Sequence, residues 1–167
     1  VNSELYTLNR STYVNLRWIA FLGQITSILT VEFILEFKFN YIPCLGIIVL
    51  GAITNILLQF QVKGNQISNF LSLSYLTYDI LQLSFLFFLT GGITNPFIFL
   101  IIVPAVFSSQ YLKIKSSVIL VSITIFSILF LTFYYIELPH PGELHFHVPD
   151  YYLYAIPISI LIGLLFL

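Results

Sequence analysis

The chain of 167 residues is 59% hydrophobic and 8% charged, with a formal net charge of −1 and a mean hydropathy of +1.00. A typical soluble domain is ~45–50% apolar and ~25% charged, so this composition excludes an ordinary soluble domain and points to a bilayer. The balanced charge argues against nucleic acid as a partner, and the single cysteine, Cys44, excludes an intramolecular disulfide or a cluster of thiolate metal ligands.

Apolar runs long enough to approach a membrane crossing, about 20 residues rising 1.5 Å each through a ~30 Å hydrocarbon core, occur six times. The first, Leu16 to Phe37, follows a polar segment (residues 1–15). It opens on Arg17 and Trp18, which predict an interfacial anchor, and carries Gln24 further in. The second, Ile42 to Val62, holds Asn55 and Cys44, the latter read as a small buried hydrophobe. The third, Phe70 to Leu89, carries Asp79. The fourth, fifth and sixth run from Pro96 to Leu112, Ser117 to Ile136 and Tyr152 to Leu167. Backbone polar groups in lipid must be satisfied within the segment, so each run is expected to be a helix. Stretches such as LGIIVLGAITNILL and VILVSITIFSILFL lack the alternation of a membrane barrel strand. The predicted fold is therefore all-α, a polytopic bundle of six transmembrane helices over residues 16–167.

The first run is too long for a signal-peptide core and lacks a small-residue cleavage site, so it predicts a retained span. The chain opens on Val1 rather than Met, and its last run reaches only ~24 Å of the hydrocarbon core. Both features lead us to expect a piece of a longer protein that continues beyond Leu167. Six alternating spans place Arg10, Arg17, Lys63, Lys113 and Lys115 on one side and only Lys38 on the other, together with Glu36, Glu137, Glu143 and Asp150. Positive residues in short loops mark the cytoplasmic side. This predicts a cytoplasmic amino-terminal segment (1–15), an outward turn at Gly91–Asn95 and an outward loop IELPHPGELHFHVPDYY at 136–152. Tyr41, Tyr111, Tyr134, Tyr135, Tyr151 and Tyr152 fall at span ends, where amphipathic rings favour the headgroup layer.

An aspartate at the centre of a membrane helix costs ~2.5–3.5 kcal/mol on insertion scales and calls for a partner, neutralisation or a polar cavity. Asp79 occupies such a position, with Tyr75 and Gln82 about one turn away on the same face. Gln24 and Asn55 lie at similar depth. Two readings stay open: a polar knot of Gln24, Asn55, Asp79 and Gln82 with the carboxyl protonated, or a functional site.

The sequence LTGGITNPF, Leu89 to Phe97, breaks the apolar pattern. Gly91 and Gly92 tolerate positive φ and predict a left-handed end to the third helix. Asn95 followed by Pro96 predicts the start of the fourth, with Asn95 capping its first amides. That start would direct unpaired amides and a positive dipole end toward the turn, beside the flat ring of Phe97. Donors next to a flat apolar ring suit a planar, carbonyl-bearing molecule from the lipid, such as a quinone.

On these residues the chain resembles the membrane input region of RegB/PrrB-type redox-sensing histidine kinases, a family with a GGxxNPF heptapeptide matched here by Gly91, Gly92, Asn95, Pro96 and Phe97. LRWIAFLGQ at Leu16–Gln24 and YDILQLSFLFFLTGGITNPF at Tyr78–Phe97 resemble the family's first and third spans, and the proline-rich loop before the sixth run is also similar. The resemblance implies a multi-pass bacterial inner-membrane protein that senses ubiquinone or a related quinone at the heptapeptide. It further implies a homodimer and a cytoplasmic kinase region after Leu167 that binds ATP, phosphorylates its own histidine and passes the phosphoryl group to a response regulator. No catalytic residue is assigned within this chain.

A quinone- or haem-linked oxidoreductase subunit is the first alternative. Haem ligation calls for histidines facing each other from neighbouring spans, whereas His140, His145 and His147 share one loop. Glu143, His145 and His147 are spaced closely enough to chelate a metal, yet a solvated loop is the favoured reading and no metal site is assigned. A small transporter is the second alternative. It is disfavoured because no internal repeat is visible and the glycine–proline break lies near the outer surface rather than at mid-membrane.

Overall fold

In a computed structural model, residues 8–34, 36–37, 39–138 and 149–166 are described. Lys38, Glu143 and the three histidines, His140, His145 and His147, lie outside the described residues. Among the described residues the architecture is all-α apart from one small antiparallel bridge, β1 (Leu8–Asn9) with β2 (Gln66–Ile67). The helix α1 (Arg10–Leu29) begins six residues before the apolar run, because Asn9 caps it by accepting the Thr12 amide at 3.2 Å. A π-helical turn, Thr30–Ile34, prolongs it.

The α2 helix (Ile42–Gln61) starts with Pro43 in its first turn, where a missing amide is harmless. Its last carbonyls are capped by Arg10, whose guanidinium donates to Gln59 O and Val62 O. The α3 helix (Asn69–Leu89) is capped by the Ser68 hydroxyl. A 3₁₀ stretch, Ile98–Ile102, then leads into the nine-residue helix α4 (Val103–Tyr111). The α5 helix (Ile114–Phe133) and α6 (Asp150–Leu164) complete the chain.

Among the described residues four helices are long and apolar enough to cross a membrane, the α1–π segment, α2, α3 and α5; Ile98–Tyr111 and Tyr151–Leu164 are shorter apolar helices. The fourth run was expected to be α-helical from Pro96. Its first turns instead wind as 3₁₀, and Pro104 sits in the first turn of α4. Pro157 lies inside α6.

Packing pairs α1 with α2, and gathers α3, α4, α5 and α6 around a larger core that includes Leu76, Ile80, Ile101, Ala105, Leu120 and Ile128. A smaller cluster of Phe21, Ile28, Cys44, Ile48 and Leu86 joins α1 and α2 to α3; Cys44 is a fully buried free thiol, as its apolar surroundings suggested. Large apolar side chains such as Ile19, Leu22, Phe60, Phe85 and Phe126 point outward. A soluble monomer rarely leaves so extensive an apolar surface uncovered, whereas such a surface suits the hydrocarbon of a bilayer.

Candidate functional site: a cavity with a charged end

The early start of α1 places Arg17 two turns inside the helix rather than at its edge. Tyr13 and Phe21 stand one turn to either side, on the same face. Arg17 is 4% exposed, which corrects its expected place at the interface. Its Nε donates to Asp79 Oδ1 at 3.0 Å and its Nη2 lies 2.9 Å from the same oxygen, forming a buried ion pair between α1 and α3. Nη2 also donates to Thr54 Oγ1 at 2.8 Å and Nη1 to Asn55 Oδ1 at 3.4 Å, on α2. The Tyr13 hydroxyl donates to Asp79 Oδ2.

The rings of Tyr13, Phe21, Tyr75 and Tyr78 surround the guanidinium, with centroids 5.5 to 5.9 Å from its central carbon. Aromatic faces attract a desolvated cation and offset part of its lost hydration. The side-chain amide of Asn55 is anchored in turn, donating to Val14 O at 3.1 Å.

The expected four-residue polar knot is thus divided. Asp79 and Asn55 are joined through Arg17, a residue the sequence reading had placed elsewhere. Gln82 donates separately to Gln24 at 3.3 Å. Asp79 has a cationic partner, so its burial does not require a protonated carboxyl. Gln82 reaches across to α2 because Gly51 makes room: a β-carbon at Gly51 would lie 2.5 Å from Gln82 Oε1.

At the far end of α3 the chain turns through Gly91 (φ 99°) and Gly92 (φ 57°), the positive-φ pair expected there. Gly92 is also required by packing, since a β-carbon would run into Tyr135. Tyr135 therefore has a packing role beyond that of a headgroup anchor.

Asn95 behaves differently from the helix cap anticipated. Its Nδ2 donates to Thr90 O and to Thr90 Oγ1, each at 2.9 Å, and its Oδ1 accepts the Phe97 amide at 2.9 Å. Other amides of the turn are engaged as well. Gly91 N donates to Ile136 O, Thr94 N to Gly91 O and Asn95 N to Gly92 O. With α4 beginning only at Val103, the expected array of open α-helical amides beside Phe97 is absent among the described residues.

These two regions open on one cavity of about 450 Å³ between α1, α3 and the segment from the turn into α4. Arg17, Asp79, Gln24 and Gln82 line it at one end, and Thr90, Asn95 and Phe97 at the other. Between them the wall is apolar, with Leu83, Leu86, Leu100 and Phe107. Asp79 and Thr90 are eleven residues apart on α3, so the ends lie ~16 Å apart. Asn55, Gly91, Gly92 and Pro96 shape the surroundings without lining the cavity. The volume falls within the ~300–1,000 Å³ of small-molecule sites.

Fold and cavity together define a class: an all-helical membrane domain that encloses a ligand-sized, largely apolar chamber with a charged end. Comparison with known proteins narrows it. The chain is 33% identical over 157 residues to the sensor histidine kinase RegB of Cereibacter sphaeroides, covering 93% of this chain and 34% of that protein. The similarity supports a RegB-type sensor region, and the chain spans about a third of the length of that relative. No protein-family model matches the chain, and no solved structure matches it significantly.

Proposed function

We propose that this chain is the quinone-sensing membrane input domain of a redox-responsive sensor histidine kinase. The observation that carries the proposal is this cavity: it is apolar enough for a lipid-borne ring, is bounded by Asn95 and Phe97 at one end, and reaches the Arg17–Asp79 pair at the other. Similarity to the sensor histidine kinase RegB supports a kinase output. In this reading that kinase uses ATP, passes the phosphoryl group to a response regulator and acts as a homodimer in the bacterial inner membrane.

In this reading Ile98–Tyr111 and Tyr151–Leu164 complete six spans, and the amino terminus is cytoplasmic. With Arg17 buried, Arg10, Lys63, Lys113 and Lys115 still favour that orientation. Gly91, Gly92 and Pro96 set the path of the turn, while Asn95 and Phe97 form the outer rim of the quinone site. The ligand moves the kinase equilibrium only through a difference in affinity for its two states. A route for the signal is at hand, since α6 packs against the Gly92–Thr94 and Ile98–Ile102 segments.

The test uses the full-length protein in proteoliposomes containing ubiquinone. Autophosphorylation should respond to the quinone redox state, and Phe97→Ala should blunt the response. If Phe97→Ala and Asn95→Ala both leave it at the parental level, the proposal fails.

A further inference from the structure

A second hollow, of about 390 Å³, lies where the start of α1 meets the end of α2, apart from the large cavity. Arg10, Ser11, Asn15 and Trp18 of α1 and Gln59 and Phe60 of α2 line it. The lining is graded along α1. Arg10, Ser11 and Asn15 are polar, and Trp18 follows ~12 Å deeper along the helix. Trp18 and Phe60 are both exposed, so the hollow opens on the surface that faces lipid.

Arg10 is fixed in place yet only partly used. Its Nη1 donates to Gln59 O and Val62 O, and its backbone amide donates to Asn65 O at 2.9 Å. Its Nε and Nη2 make no hydrogen bond among the described residues. Lys63, which is exposed, directly follows Val62 and brings a second cation to this corner. The described carboxylates are elsewhere. Glu32 and Glu36 follow the far end of α1, Glu137 follows the far end of α5, Asp150 opens α6, and Asp79 is held by Arg17.

From this arrangement we infer that the corner between α1 and α2 binds one anionic phospholipid, with the headgroup phosphate on Arg10 and an acyl chain along Trp18 and Phe60. A guanidinium matches a phosphate through parallel N–H groups, and one already oriented by its bonds to α2 loses little freedom on pairing. Ser11 and Asn15 offer neutral hydrogen-bonding groups just below it. The indole of Trp18 favours the layer where headgroups give way to hydrocarbon. A cationic headgroup moiety would need a carboxylate beside the phosphate, and the described residues place none at this corner, which favours a net-negative lipid over a zwitterionic one. The site is independent of the quinone chamber.

Trp18 is the chain's single tryptophan, so its fluorescence reports on the site. The test places the chain in phosphatidylcholine nanodiscs and titrates in phosphatidylglycerol brominated on its acyl chains, against equally brominated phosphatidylcholine. Quenching should give the parent about a fivefold higher relative affinity for phosphatidylglycerol, the effect of one basic residue beside an anionic headgroup. Arg10→Gln should bring that ratio to about one. Because Arg10 also caps α2, Asn15→Asp is the second variant. It leaves the cap in place, sets a carboxylate against the phosphate and should abolish the preference as well. Lys113→Gln removes the same charge from the same end of the bundle, where Lys113 N donates to Asn69 Oδ1 at 2.9 Å, and should keep the preference.

Equal quenching of the parent by the two lipids overturns the inference. A preference that survives in Asn15→Asp, or in an Arg10→Gln variant that melts as a folded protein, overturns it too. Loss of the preference in Lys113→Gln as well would report general attraction to a basic surface, and overturns the assignment to this hollow.

Discussion

Replacing Asp79 by alanine isolates the energetics of the buried ion pair. The substitution removes the acceptor of Arg17 Nε and of the Tyr13 hydroxyl together with the anion beside Nη2, and leaves the guanidinium with Thr54 and Asn55 as neutral partners. Stranding one member of a buried pair costs ~3–5 kcal/mol. The ring of Tyr13, Phe21, Tyr75 and Tyr78 softens the loss without abolishing it. Removing both charges is a different perturbation, because no ion is left to desolvate. Arg17→Gln with Asp79→Asn should therefore lie within ~1–2 kcal/mol of the parent. The assay is a double-mutant cycle of reversible unfolding in mixed micelles, with Arg17→Gln, Asp79→Asn and their combination, and Asp79→Ala alongside. Coupling below ~0.5 kcal/mol, with Asp79→Ala costing less than ~1 kcal/mol, is the magnitude of a solvated surface pair and would refute the buried bridge.

Four further substitutions probe the scaffold. Gly51→Ala should displace Gln82, break its bond to Gln24 and cost ~1–3 kcal/mol, whereas Gly46→Ala, with nothing within 4 Å of the added carbon, should be neutral or slightly stabilising by the same melts. Gly92→Ala combines a φ of 57° with a clash on Tyr135, and should lower the melting temperature by an amount equivalent to ~1–3 kcal/mol. Arg10→Ala removes the cap on Gln59 O and Val62 O and should cost ~0.5–2 kcal/mol, with faster amide exchange at the end of α2 by mass spectrometry.

The long apolar helices were legible because a bilayer imposes length and composition together. The second run, expected over Ile42 to Val62, is helix over Ile42–Gln61, and the third, expected over Phe70 to Leu89, is helix over Asn69–Leu89. The fourth misled because Asn-Pro reads locally as a helix start. In the fold Asn95 instead closes the turn onto Thr90 and α4 begins seven residues after Pro96, an outcome decided by packing against α3 and α5.

Arg17 was missed for a related reason. Hydropathy begins the first span at Leu16, since RSTYVN is polar, and a basic residue at the edge of a span looks like an interfacial anchor. The sequence did hold the contrary signal. A cation at comparable depth is one of the ways a mid-membrane Asp79 is satisfied, and the basic residue that can reach that depth while flanked one turn away by two aromatic residues is Arg17, between Tyr13 and Phe21. Those three positions fall on one helical face only if the helix already runs through Tyr13. Pairing Asp79 with Arg17 would therefore have moved the start of α1 back beyond Tyr13. In a membrane domain an unpaired acid in one helix thus constrains where another helix must begin.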